Sequence, residues 1–139
     1  MSMDVVLAPD IYVNASVSLG SPPEHIVRRA LGGENRSKTS KWVLERVESM
    51  LLALPEFKAS AVGPQMATIR DLVDVVETSD FYIEDWEPAL IALAKAARVA
   101  HVVTDHPDLL AAKSRDGVEF VASEKWLVQQ TTPPPPPKP

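Results

Sequence analysis

The chain has 139 residues, a formal net charge of −5 and no cysteine. This length is enough for one domain with its own hydrophobic core, and the absence of cysteine excludes disulfides and thiolate metal sites. The negative charge disfavours nucleic-acid binding by the molecule as a whole, although a local basic patch can override the average. No leader-like segment and no apolar run of about 20 residues is present, so we expect a soluble cytoplasmic protein without a membrane partner.

The first half of the sequence predicts two strands and three helices. An apolar run predicts a strand at Met3–Leu7, and Ser21-Pro22-Pro23 predicts the start of a helix that ends at Gly32-Gly33. Segment 34–39 has almost no apolar content, so its strand is expected to be weak or at an edge of the sheet. Ser40 is the expected N-cap of a long amphipathic helix, and a further helix is expected near Gln65 to Val76. The buried face of the long helix is predicted at Val43, Leu44, Val47, Met50, Leu51 and Leu54.

Residues 84–128 predict an alternation of helices and buried strands. The expected elements are a helix from Pro88, a strand at Ala100–Thr104, an acidic turn at Asp105–Asp108, a short helix from Leu109, a turn at Gly117, a strand at Val118–Val121 and a brief capped helix at Ser123–Leu127. This order is half of a parallel α/β domain. Ligands bind beyond the carboxyl ends of parallel strands, so the 105–108 turn is the first place to expect chemistry.

Residues 129–139 have a different composition from the rest of the chain. Five consecutive prolines occupy positions 133–137, and a sixth follows Lys138. We predict a folded domain at 1–128 followed by a disordered, extended polyproline tail. A second interpretation, a ligand for a groove that binds polyproline helices, stays open.

With these elements placed, the chain resembles the PIN-domain family, small metal-dependent nucleases that include VapC-type toxins. The segment 7–15 stands where the family has a motif like LDTNVLVSA, and Ser21-Pro22-Pro23 matches a GPP-like helix start. The segments 84–94 and 104–110 match patterns like DPDDNKFLALALA and TGDKDLL, and 117–127 matches an ending like GVRILTPEEFL. The resemblance covers almost everything from Met3 to Val128. It implies a three-layer α/β/α sandwich around a central, mostly parallel sheet.

The resemblance also implies an active site of about four acidic side chains that bind divalent ions and cleave RNA. In this chain the first-strand aspartate is replaced by Ala8, and the glutamate of the long helix by Arg46. His106 stands at the aspartate of the TGD-like turn. Four carboxylates stand at or next to the family's other acidic positions, and they are the candidate metal ligands: Asp10, Glu87, Asp105 and Asp108. The catalytic candidates among them are Asp10, Glu87 and Asp108.

These departures predict a pseudo-nuclease that acts as a binding module for a protein or nucleic acid. A hard cation needs one or two carboxylates in fixed positions, and a guanidinium at Arg46 would repel it. On this interpretation no metal cofactor is expected. The alternative is a toxin-like endoribonuclease that uses the shifted acidic cluster with Mg²⁺ or Mn²⁺. Each carboxylate also has a structural interpretation: Asp10 as a turn cap, Glu87 as a helix N-cap, and Asp105 and Asp108 as turn or cap residues.

A basic stretch is the candidate contact surface for a partner. It supplies the candidate binding residues Arg28, Arg29, Arg36, Lys38, Lys41 and Arg46, with His25 beside them. Its structural interpretation is an ordinary solvated face; if it is a binding site, the natural partner is a phosphate backbone or an acidic protein surface. The resemblance implies a homodimer or another protein partner, with RNA as a further possibility.

Overall fold

The computed structural model describes residues 4–32, 37–78 and 84–131, and it describes the side chains in these ranges up to Gln129. The strands in these ranges are β1 (Val5–Leu7), β2 (Ser37–Thr39), β3 (Asp74–Val75), β4 (His101–Val103), β5 (Ser114–Arg115) and β6 (Val118–Val121). The helices are α1 (Pro9–Val17), α2 (Pro22–Leu31), α3 (Lys41–Leu52), α4 (Ala59–Leu72), α5 (Trp86–Ala97), α6 (Pro107–Ala112) and α7 (Ser123–Thr131).

The strands form one six-stranded sheet in the order β3-β2-β1-β4-β6-β5. Every neighbouring pair is parallel except β5 and β6, which form an antiparallel hairpin at one edge. Val6 pairs with Lys38 on one side and with Val102 on the other, so β1 lies in the interior of the sheet. This confirms the predicted α/β fold with a central, mostly parallel sheet.

The core is built on β-branched residues in the interior strands and on apolar helix faces. Val5, Val6, Leu7, Val102 and Val103 are at most 1% exposed, which is the pattern of strands covered on both faces. Helix α5 packs across β1, β2, β4 and β6, whereas α1, α2, α3, α4 and α7 contact one another. The helices therefore cover the sheet and position the ends of its strands.

Three expectations for the first half of the chain need correction. A helix, α1, begins two residues after β1, where none was predicted. Strand β2 is short, as expected, but it lies between β1 and β3 and not at the edge, because β3 takes the edge position. Helix α4 begins at Ala59 and ends at Leu72, since Asp74–Val75 leaves the helix to pair with β2.

The long helix α3 follows its prediction closely. Ser40 is the N-cap, and its hydroxyl accepts a hydrogen bond from the backbone N–H of Val43 at 3.3 Å. Helix α3 ends at Leu52, and Met50 and Leu54 are only partly buried. Trp42, which was not predicted to face the core, is buried.

The second half differs from its prediction mainly at element ends. Helix α5 begins at Trp86 with Asp85 as its N-cap, so Glu87 lies in the first turn and its interpretation as an N-cap was wrong. Helix α6 begins at Pro107, two residues earlier than expected. Helix α7 continues to Thr131, three residues past the predicted end of the domain. The remainder of the predicted tail, residues 132–139, lies outside the described residues.

The hairpin β5–β6 was not predicted, although its turn was. Arg115 pairs with Val118, so the turn consists of two residues, Asp116 and Gly117. Both have positive φ, 56° and 81°, and Asp-Gly is a preferred sequence for such two-residue hairpins. Across the described ranges, none of the helices is both long and apolar enough to cross a bilayer.

We predict that Gly117→Ala destabilises the fold by about 1 kcal/mol. Gly117 has a φ of 81°, which a residue with a Cβ adopts only at a cost in free energy. Beyond the neighbouring residues in the chain, an added Cβ meets nothing within 4 Å, so the loss comes from the backbone conformation. Urea denaturation measures the difference from the wild type; an unchanged or higher stability would contradict the assigned turn.

Candidate functional site at the carboxyl edge of the sheet

Several helices begin at the edge where the parallel strands end. Helix α1 starts two residues after β1, α3 two after β2, α6 four after β4 and α7 two after β6. A helix N-terminus carries unpaired N–H groups and a partial positive charge, which favours carboxylates nearby. Asp10, Glu87 and Asp108 each lie in the first turn of a different helix. The preference of helix N-termini for carboxylates is therefore sufficient to explain the acidic residues at these three positions.

Asp10 joins the ends of two neighbouring strands. Its Oδ1 accepts a hydrogen bond from the Thr104 hydroxyl at 3.0 Å, and its Oδ2 accepts one from the backbone N–H of Asp105 at 2.8 Å. Thr104 is fully buried, and its Oγ1 also accepts from the backbone N–H of His106 at 3.1 Å. The pKa of Asp10 is raised, chiefly by burial, while the two hydrogen bonds oppose the shift and the Asp105 charge adds to it.

Asp105 connects the end of β4 to the end of β6. Its Oδ1 accepts from the backbone N–H of Ser123 at 2.9 Å, and its Oδ2 accepts from the Ser123 hydroxyl at 2.6 Å. Ser123 is the first residue of α7, so Asp105 supplies the carboxylate that the N-terminus of this helix favours. The two carboxylates thus tie β1, β4 and β6 together in a row. We refer to Asp10, Thr104, Asp105 and Ser123 as the carboxylate chain.

The other two acidic candidates have different neighbours. Glu87 Oε1 is 2.5 Å from Arg115 Nε, in an ion pair between α5 and the β5–β6 hairpin. Asp108 is exposed, and its backbone N–H donates to His106 Nδ1 at 3.2 Å, which makes His106 the N-cap of α6. Within the described ranges, no three His, Asp or Glu side chains are grouped so that they could hold one metal ion.

Aromatic rings occupy the side of the edge formed by α3, α5 and α6. His106 lies 5.3 Å from the Trp86 ring, and Trp86 meets Trp42 edge-on at 6.2 Å between centroids. The Arg46 guanidinium carbon lies 4.9 Å from the centroid of Trp42, which is a cation–π contact. Arg46 and His106, the two residues at acidic positions of the family pattern, therefore face aromatic rings. We call these four residues the ring stack.

The predicted basic surface is partly neutralised by ion pairs. Arg28 Nε donates to Glu24 Oε2 at 2.8 Å, and this contact lowers the pKa of Glu24. Lys38 Nζ donates to Asp74 Oδ2 at 2.8 Å across the β2–β3 pair. Arg29 is half-buried on α2, and Lys41 is exposed at the start of α3. Arg36 lies outside the described residues.

Four contributors to this edge were not among the predicted site residues: Thr104, Ser123, Trp42 and Trp86. Thr104 carried a signal, because a hydroxyl at the end of an otherwise apolar buried strand needs a partner. Trp42 and Trp86 carried another, since both lie in first turns of helices that begin at this edge. Trp42 and Trp86 are 44 residues apart in the sequence, so neither segment alone predicts their contact.

Two solved structures have a similar fold. A chain of VapBC2 from Rickettsia felis, bound to a DNA fragment from their promoter, matches with a TM-score of 0.63 and 13% identity, over 86% of this chain and 98% of that one. VapC20 of Mycobacterium tuberculosis, a toxin that cleaves the sarcin–ricin loop, matches with a TM-score of 0.53 and 16% identity, over 81% and 97%. No family model matches the sequence, and no curated protein matches it.

The chain has a VapC-like PIN-domain fold. The predicted resemblance is thereby confirmed at the level of the fold. Both matched chains are covered almost completely, so this chain contains nearly the whole of each matched fold.

We predict that Thr104→Val destabilises the protein by about 2 kcal/mol. Valine has nearly the same shape, but it leaves Asp10 Oδ1 without its donor and the His106 N–H without its acceptor. The control is Thr68→Val on α4, where the residue is exposed and its hydroxyl donates to the Pro64 carbonyl at 3.1 Å. That change should stay within about 0.5 kcal/mol. Equal losses for the two variants, measured by chemical denaturation, would contradict a structural role for Thr104.

The raised pKa of Asp10 predicts a pH dependence of stability. The folded state holds the proton more tightly than the unfolded state, whose Asp pKa is near 3.8. The contribution of Asp10 is therefore fully present below that pH and is lost as the pH rises through the raised pKa. Relative to Asp10→Asn, the wild type should lose stability as the pH increases from about 4. A difference that is flat or rises with pH would contradict the burial of an ionisable Asp10.

Proposed function

We propose that this protein is a PIN-fold binding module for a protein partner that has lost metal-dependent RNA cleavage. The observation that carries the proposal is the use of all four carboxylate oxygens of Asp10 and Asp105 by protein donors. In a metal site those oxygens would be ligands of the cation. Here they hold the strand ends together, and Glu87 is committed to Arg115.

The replaced positions support the same proposal. Ala8 is completely buried at the end of β1, so it offers no ligand atom where the family pattern has a carboxylate. Arg46 brings a positive charge to the same edge, and His106 Nδ1 is already an acceptor for the Asp108 N–H. A divalent ion at this edge would have to share the carboxylate oxygens with their present hydrogen-bond donors or displace those donors, which makes binding less favourable.

A protein partner is favoured by the apolar surface and by the similar structures. Large hydrophobic side chains are exposed on the described surface, including Leu19 at 86%, Leu72 at 54% and Val75 at 42%. Val75 belongs to β3, which is an edge strand. The VapBC2 chain of similar fold was crystallised in an assembly bound to promoter DNA. A homodimer and a role for the polyproline segment remain predictions.

The test is a metal titration with a cleavage assay. We expect no rise in melting temperature up to millimolar Mg²⁺ or Mn²⁺ and no cleavage of single-stranded RNA. A bound ion would stabilise the fold by about 2.7 kcal/mol at a concentration 100 times its Kd. As a positive control, Ala8→Asp combined with Arg46→Glu and His106→Asp restores the acidic pattern. That variant should bind metal more tightly than the wild type if the missing carboxylates are the cause.

The endoribonuclease alternative predicts a different outcome. Metal-dependent RNA cleavage by the wild type that is abolished by both Asp10→Asn and Asp108→Asn would establish the endoribonuclease alternative. Cleavage that survives both substitutions would indicate a contaminating nuclease.

A further inference from the structure

A groove lies between the end of α6, the β5–β6 hairpin and the first turn of α7. Its volume is about 400 Å³, which is within the range of ligand-binding clefts. Leu110 and Phe120 form apolar parts of its lining, and Lys113 and Lys125 are among its polar residues. The groove contains none of the residues of the carboxylate chain or the ring stack.

The two lysines give this groove an unusual charge for an acidic protein. The chain has a net charge of −5, yet Lys113 and Lys125 are both exposed and have no ion-pair partner in the described ranges. The lining also contains Glu119, whose Oε2 lies 3.6 Å from His101 Nε2. The ammonium groups outnumber the carboxylate, so the groove attracts anions.

A backbone N–H group, that of Ala122, gives the groove a directional hydrogen-bond donor as well. The N–H groups of Glu119 and Phe120 point to opposite sides of β6, toward the Ala100 carbonyl and the Lys113 carbonyl respectively. Since N–H directions alternate along a strand, the Ala122 N–H points to the same side as that of Phe120. Ala122 lines the groove, and its N–H has no acceptor in the described part of the chain. It is available to a carboxylate.

The main chain at Lys113 is held in a strained conformation. Its φ of 61° and ψ of −64° are unfavourable for a residue with a side chain. Two hydrogen bonds fix it: Lys113 N–H donates to the Leu110 carbonyl at 3.2 Å, and Phe120 N–H donates to the Lys113 carbonyl at 2.8 Å. Glycine would adopt this conformation more easily. Lys113 therefore occupies a position where glycine would give a more stable fold.

We propose that this groove binds an extended acidic peptide segment of a protein partner. A carboxylate of the peptide lies between the Lys113 and Lys125 ammonium groups and accepts from the Ala122 N–H. An aliphatic side chain next to it packs on Leu110 and Phe120. The proposal rests on the protein-partner part of the proposed function and names the chemistry of that partner.

The test uses two synthetic peptides and three variants of the full chain. The probe is acetyl-Leu-Glu-Leu-Glu-Leu-amide, and its control has glutamine in place of glutamate. Binding is followed by ¹⁵N amide chemical shifts in EDTA, which separates it from any metal effect. We expect the acidic probe alone to shift the Ala122 amide. Lys125→Ala should weaken binding about tenfold, since a charged hydrogen bond contributes about 1.5 kcal/mol or more.

Lys113→Gly separates binding from folding. It removes one ammonium group and relieves the strained φ, so it should weaken the probe about tenfold while leaving the melting temperature unchanged or higher. Lys58→Ala, at the exposed start of α4, is the matched control and should change neither quantity.

Three results with the peptides would overturn the proposal: no shift at Ala122, equal binding of the glutamine peptide, or equal affinity in the two groove variants and the wild type. Tighter binding of a single-stranded oligonucleotide at the same amides would overturn it in favour of a phosphate site. None of these results depends on metal binding or RNA cleavage, so failure here is distinguishable from failure of the proposed loss of catalysis.

Discussion

The carboxylate of Asp10 is the interaction on which the carboxyl edge of the sheet depends. It binds the Thr104 hydroxyl and the Asp105 N–H, and Asp105 in turn binds Ser123. Since β1, β4 and β6 are neighbours in the sheet, two carboxylates connect three strand ends and the helices that follow them. The buried donors need these acceptors, because an unpaired polar group in the interior costs about 1–3 kcal/mol.

The same edge is held on its other side by the ring stack. Arg46, Trp42, Trp86 and His106 connect α3, α5 and α6 through a cation–π contact and two ring contacts. Edge-on and tilted aromatic pairs contribute about 0.5–1.5 kcal/mol each beyond their burial. Arg46 and His106, which stand at acidic positions of the pattern that the sequence resembles, therefore take part in aromatic packing.

The sequence was sufficient for the fold class and for most helices, because long apolar periodicities and caps such as Ser40 are local signals. It failed where tertiary pairing decides the structure. Asp74–Val75 continues a helical pattern but pairs with β2, and Ser114–Arg115 becomes a strand only because the Asp116-Gly117 turn folds it back on β6. At the site, the sequence identified Asp10 and Asp105 but not their partners. Thr104 and Ser123 lie 94 and 18 residues from the carboxylates they bind, a separation that no local pattern encodes.

The most direct test of a metal-free edge is paramagnetic broadening by Mn²⁺ in ¹⁵N amide spectra. A bound Mn²⁺ broadens amides near it, so the signals of Asp105, His106 and Asp108 report on this edge residue by residue. If the carboxylate oxygens are occupied by protein donors, these signals should broaden no more than those of exposed acidic residues elsewhere, such as Glu56, which follows the far end of α3. Selective loss of the Asp105, His106 and Asp108 signals at submillimolar Mn²⁺ would contradict the account.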